Sequence, residues 1–217
     1  MGRPLSPVKS ESSDRESPEQ RPTPLEAKSN SSSDGDREDD EGDDDFQMPQ
    51  EEEWRDPSDG GVLTRVFEAA EAGEAEELRE LLGRLNVDVN TPGEDGDSAL
   101  HLACLYGREA CVERLLNASA SATAVDREGS TPLHDAAAGG YIGIVRLLLD
   151  AGADCCINAT DSDGETPLHT AARGAHTDLV ALLLEKGANP CVENAAGNMP
   201  EQEARGCPDV QAVLRLA

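Results

Sequence analysis

The chain has 217 residues, with 45 acidic and 18 basic side chains and a formal net charge of −27 at neutral pH. So large a negative excess argues against a polyanionic partner, and no direct nucleic-acid contact is expected. The longest apolar run, residues 136–145, reaches ten residues only when its glycines are counted. A bilayer-spanning helix needs roughly 18, so no membrane span is expected.

The first 60 residues hold 19 acids, 7 bases and only 8 apolar side chains. Such a stretch cannot bury enough surface to offset the entropy of ordering it, which predicts a disordered, acidic, Ser/Pro-rich tail. Nine of the twelve residues 34–45 are acidic, a solvated run without the glycine and terminal-glutamate spacing of a calcium loop. Ser6, Ser17 and Thr23 each precede proline and resemble proline-directed kinase sites, while Ser33, followed by Asp34 and Asp36, resembles an acidophilic one. Lys9, in Val8-Lys9-Ser10-Glu11, resembles an acceptor for a small ubiquitin-like modifier. Met1-Gly2 with Ser6 fits the bare myristoylation pattern, but Arg3, Pro4 and the acidic tail oppose it. Phe46, Met48 and Trp54, set among Glu51, Glu52 and Glu53, form a candidate docking motif.

Residues 61–217 contain most of the Leu, Val and Ala, and they repeat. Asp-Gly-Asp-Ser-Ala-Leu-His-Leu-Ala starts at Asp95, Glu-Gly-Ser-Thr-Pro-Leu-His-Asp-Ala at Glu128 and Asp-Gly-Glu-Thr-Pro-Leu-His-Thr-Ala at Asp163. A reduced phrase, Ala-Gly-Asn-Met-Pro, starts at Ala196. Within each unit Thr131 or Thr166 can cap a helix that Pro132 or Pro167 begins, at the position where a missing N–H costs nothing. Leu133, Ala136 and Ala137 give that helix a small apolar face, and Gly140 ends it. A second short helix follows through Ile144, Val145 and Leu147 to Leu149, closed by Gly152, as Gly187 closes its counterpart one unit later. Neither helix can bury its stripe alone, so the units must stack into a solenoid.

The Gly-x-Thr-Pro-Leu-His-x-Ala-Ala phrase and its period of about 33 resemble the ankyrin-repeat family. The resemblance implies an all-α solenoid of about five helix pairs with short β-hairpin or turn fingers. Its divisions are a cap at 62–95, repeats at 96–128, 129–163 and 164–196, and a C-terminal cap at 197–217 in which Gln202 replaces the histidine. Two departures stand out. Ala175 occupies a glycine position between helices, where either Gly174 shifts the turn or the site is strained. The hairpin from Gly152 to Gly164 is two residues longer than its counterparts.

His101, His134 and His169 recur once per unit and read as structural hydrogen bonders to the turns, while His176 reads as surface. Cys104 and Cys111 suit core packing. Cys155, Cys156 and Cys191 leave metal binding or a redox-sensitive thiol open, without the spacing of a zinc site. The irregular cysteines, and a terminus without a charged-then-apolar leader pattern, suggest a reduced compartment, cytoplasmic or nuclear. No catalytic constellation, phosphate-binding loop or cofactor motif is visible, so no cofactor and no enzyme activity is expected.

Family resemblance assigns recognition to the finger tips and first helices. The tip residues are Glu94, Asp95, Asp97, Arg127, Glu128, Ser130, Asp163 and Glu165. The helix residues are Leu102, Leu105, Tyr106, Asp135 and Arg173, with Leu105 and Tyr106 as the apolar anchor. The expected partner is a protein with a basic, partly apolar segment, bound by a monomer. In the alternative reading the chain is an acidic chaperone-like or transcription-regulating protein whose tail shields basic partners.

Overall fold

The structure, a computed structural model, describes residues 54–216. Ten helices form five antiparallel pairs: α1 (Val62–Ala72) with α2 (Ala75–Leu82), α3 (Ala99–Leu105) with α4 (Glu109–Asn117), α5 (Pro132–Gly139) with α6 (Ile142–Asp150), α7 (Pro167–Arg173) with α8 (Thr177–Glu185), and α9 (Pro200–Glu203) with α10 (Pro208–Arg215). The first helices stack in chain order from α1 to α9, and second helices pack behind them. The core lies between the two layers and repeats with the sequence: Leu100, Leu133 and Leu168 are buried at one position, and Ala103, Ala136 and Ala171 at another. Cys104 and Cys111 are buried in the same core, at positions filled in the next unit by Ala137 and Ile144. No strand occurs among the described residues, so the fingers are turns.

Each well-formed unit is tied by its histidine. His134 Nδ1 accepts from the Thr131 amide at 3.1 Å and lies 3.0 Å from the Thr131 hydroxyl. With Nδ1 accepting, the proton sits on Nε2, which donates to the carbonyls of Ala159 and Glu165 in the next finger at 3.2 and 3.1 Å. His101 joins Ser98 to the Ser130 carbonyl and His169 joins Thr166 to the Asn198 carbonyl in the same way. One ring therefore both caps a helix and fastens the following repeat. In the last unit Gln202 does half of this, its Oε1 accepting from the Met199 amide at 2.6 Å. The first unit uses a different cap. Asp56 accepts from the amides and hydroxyls of Ser58 and Thr64, and the Ser58 hydroxyl accepts from the Leu63 amide. Although burial pushes the Asp56 carboxyl upward, these hydrogen bonds hold it at about 2. The contacts that fix α1 thus begin before residue 61.

His176 does more than sit on the surface, since its Nε2 lies 3.0 Å from the Ala138 carbonyl of the preceding repeat. It belongs to a ladder. The residue at the start of each second helix lies over the turn glycine of the unit before: Arg108 over Gly73, Tyr141 over Gly107 and His176 over Gly140. A Cβ at those glycines would meet the covering side chain at 2.8, 2.5 and 2.4 Å respectively. At the fourth turn Gly174 is right-handed and Ala175 itself takes φ +60°, while the covering position holds the smaller Cys207. The turn does not shift, and the alanine carries the left-handed conformation. Ser119, which follows α4, is a second such residue at φ +68°, where the later units have Gly152 and Gly187. The two extra residues of the long hairpin are taken up by a 3₁₀ turn, Ala153–Cys156.

A left-handed conformation costs a residue with a Cβ about 1 kcal/mol relative to glycine. Ala175→Gly and Ser119→Gly are each expected to raise stability by about 0.5–1 kcal/mol, measured as a shift of the urea midpoint at unchanged slope.

Candidate functional site

Each finger after the first is built around one side chain that sequence reasoning passed over. Asp126 Oδ1 accepts from the Glu128 and Ser130 amides, Asp161 Oδ1 from Asp163 and Glu165, and Asn194 Oδ1 from Ala196 and Asn198. The three recur at the repeat spacing, which was the available signal. The first finger has Gly93 at this position and lacks the bracket. Neighbouring fingers are also joined. The Ser162 amide donates to the Glu128 carbonyl, the Ala195 amide to the Asp163 carbonyl, and the Arg127 stem lies over Gly96.

Between the first finger, the Asp126 finger and helices α3 and α5 lies a cavity of about 480 Å³, lined by Asp95, Asp97, His101, Leu105, Asp126, Arg127, Glu128 and Asp135. Six of these are recognition residues expected from the sequence; His101 and Asp126 are additions. Five carboxylates surround one guanidinium there. Burial, then the charges of Asp97, Asp126 and Glu128, push the Asp135 carboxyl to about 8. Burial also raises Asp97, with neighbouring carboxylates adding to it and His101 opposing. His101 is lowered by burial against the pull of Asp97 and Asp126. Asp135 Oδ2 is buried without a hydrogen-bond partner.

The other marked residues fall elsewhere. Glu94 and Asp163 are exposed at their tips, and Leu102 is half-buried on α3. Ser130 is engaged through its backbone with Asp126 and His101. Leu105 and Tyr106, expected to act as one anchor, line different concavities, since Tyr106 sits with Glu68, Glu71 and Arg108 beside the first unit. The Glu71 carboxylate raises its phenol. Glu165 and Arg173 pair with each other, and Arg173 also reaches Glu203 at 3.6 Å, so this pair holds the C-terminal unit in place.

Of the thiols, Cys104, Cys111 and Cys156 are buried, whereas Cys155 and Cys191 are exposed. Cys155 and Cys156 lie 3.8 Å apart and unbonded, and burial pushes the Cys156 thiol up to about 11, away from the reactive thiolate. Among the described residues no group of His, Cys, Asp and Glu is placed to hold a metal ion. No helix there is long and apolar enough to cross a membrane. The modification candidates Ser6, Lys9, Ser17, Thr23 and Ser33, and the docking residues Phe46 and Met48, lie outside the described residues.

Stacked helix pairs, the three central ones each tied by an imidazole, with an open face of fingers and first helices, define a repeat scaffold of the kind that binds other proteins. The chain belongs to the ankyrin-repeat family: the family pattern of three ankyrin repeats matches residues 66–159 and a single ankyrin repeat matches 163–195. Similar proteins include "Ankyrin repeat domain-containing protein SAT10" of Stachybotrys chartarum, 37% identical over 94 residues, which is 43% of this chain and 5% of that protein. "Neurogenic locus notch homolog protein 1" of Xenopus tropicalis is 36% identical over 92 residues, 42% of this chain and 4% of that one. Human "SMC5-SMC6 complex localization factor protein 1" is 34% identical over 90 residues, 41% and 8%. The chain thus spans under a tenth of the length of each of these relatives.

Asp135 sets a pH dependence. Below about pH 4 its carboxyl is neutral whether the chain is folded or not. Above that, the unfolded chain releases the proton while the folded one keeps it, so the fold weakens as pH rises towards 8. Asp135→Asn is therefore expected to change stability little at pH 4 and to raise it by about 1–3 kcal/mol at pH 8, read from denaturant melts at the two pH values.

Proposed function

We propose that this protein is a non-enzymatic interaction module, an adaptor that binds a partner protein across its fingers and first helices. The observation that carries the reading is the cavity at the first and second fingers, where Asp95, Asp97, Asp126, Glu128 and Asp135 surround Leu105. That combination favours a partner segment that is basic and partly apolar, bound by a single copy of the chain. Charge supports selectivity and a fast encounter, and the bracketed fingers limit the ordering cost of binding. The N-terminal tail, acidic and with Ser/Pro and acidophilic sites at Ser6, Ser17, Thr23 and Ser33, tunes this binding through further negative charge. Lys9 offers a second kind of modification. Cytoplasmic and nuclear locations both suit such a role.

Affinity capture with the full chain, with residues 54–217 and with a Tyr106→Ala, Asp97→Lys double variant tests the proposal. The shortened chain is expected to keep most of the affinity, and the double variant to lose at least about tenfold. Binding that survives the double variant rejects this face. Binding lost on removing the tail instead favours a chaperone-like or transcription-regulating protein that shields basic partners with its acidic run.

A further inference from the structure

The lengthened hairpin carries a pair of side chains that its counterparts lack. Its 3₁₀ turn, Ala153–Cys156, sets the adjacent thiols Cys155 and Cys156 side by side, Sγ to Sγ 3.8 Å. Both flanks of the pair are pinned. Ala153 and Ile157 are buried in the core on either side, and the Ile157 amide donates to the Asp154 carbonyl at 3.3 Å. The Asn158 side chain is bonded to Gly187 and Asn189 of the next hairpin at 3.2 and 2.7 Å. Cys155 is exposed, and its thiol donates to the Gly152 carbonyl at 3.6 Å, while Cys156 keeps 8% of its surface. A reagent in solvent therefore meets Cys155 first. Cys191, in the following hairpin, has no cysteine beside it.

The spacing selects what the pair can hold. A disulfide wants Cα atoms more than about 4.4 Å apart, whereas chain neighbours sit at about 3.8 Å, so adjacent cysteines are poorly placed for a direct bond. Two sulfurs on a single soft atom, at bonds of about 2.3 Å and a pyramidal or tetrahedral angle, stand about 3.4–3.8 Å apart. The thiol pair lies in that range. Zinc would call for further ligands, and among the described residues no group of His, Cys, Asp and Glu is placed to supply them. A trivalent arsenic that already carries one organic group needs only two sulfurs. We propose that Cys155 and Cys156 form a chelating site for a monosubstituted trivalent arsenical. With the arsenical as its dihydroxide, Cys155 Sγ displaces one hydroxyl and Cys156 Sγ the other. Two As–O and two S–H bonds break, two As–S and two O–H bonds form, and two waters leave. Arsenic stays trivalent, so no oxidant or reductant takes part. Each thiol proton departs with a hydroxyl, so the Cys156 thiol, pushed up to about 11 by burial, reacts without first ionising. The site does not depend on partner docking at the fingers.

The test incubates the reduced full chain with phenylarsine oxide and then washes it with excess glutathione, a single thiol that strips arsenic from isolated cysteines. Because the second As–S bond forms within one chain, the parent is expected to retain one phenylarsenic group. Native mass spectrometry reads this as the gain of that group and the loss of two hydrogens. Cys155→Ser, at an exposed position, is expected to melt as the parent does and to bind the arsenical at least about a hundredfold more weakly. Cys156→Ala, its fold checked by the same melt, is expected to match it, whereas Cys191→Ser keeps the parent's binding. No retention by the parent, or retention that survives Cys155→Ser, overturns the site. Loss in Cys191→Ser overturns it too, since the arsenic would then bridge two hairpins. Displacement of the phenylarsenic group by equimolar zinc has the same force, because zinc would need ligands beyond the pair.

Discussion

A short helix of seven or eight residues cannot persist on its own, because its nucleation cost is spread over too few hydrogen bonds. Here the cost is met between units. The imidazoles of His101, His134 and His169 accept from the amide at the start of their own helix and donate to a carbonyl of the next finger. Both nitrogens are used only by the neutral ring, and burial, which disfavours the cation, keeps His101 and His134 in that form. Local capping and repeat-to-repeat registry are thus one interaction. Losing it in any unit unfastens two.

That registry positions the candidate site. Asp126 brackets its finger through two backbone amides, the Arg127 stem covers Gly96, and His101 reaches the Ser130 carbonyl, so the carboxylates of the first two fingers line one cavity with Asp135 of α5. The arrangement disfavours the free chain. Like charges crowd in a partly dry cavity, and Asp135 keeps a proton at neutral pH as a result. A fold optimised only for stability would not put an acid in the first turn of α5 with its oxygen unpaired, and sites under such strain are where binding energy can be recovered.

Much of the architecture was legible because its determinants are local. Thr131-Pro132 and Thr166-Pro167 mark helix starts, Gly140, Gly152 and Gly187 mark ends, and the recurrence of Leu-His-x-Ala identifies the stacking face. The departures were legible too, and Ala175 does take the left-handed turn its position required. What escaped notice lacked a local meaning. Asp126, Asp161 and Asn194 look like ordinary polar tip residues until their side-chain Oδ1 atoms are seen to collect two amides each. Leu105 and Tyr106 are adjacent in the chain, yet on a helix adjacent residues point about 100° apart, and they enter separate concavities.

Taken alone, the order of residues determined the period, the helix pairs, the all-helical class and the negative charge of the fingers, since each follows from spacing, backbone preference or composition within one unit. The tertiary structure decided which of those acids meet. Glu165 is neutralised by Arg173 and serves the last unit, whereas Asp97 and Asp135, 38 residues apart, converge on one cavity. Chain distance carries no information about that outcome, because ion pairing and burial depend on how neighbouring repeats are superposed in space.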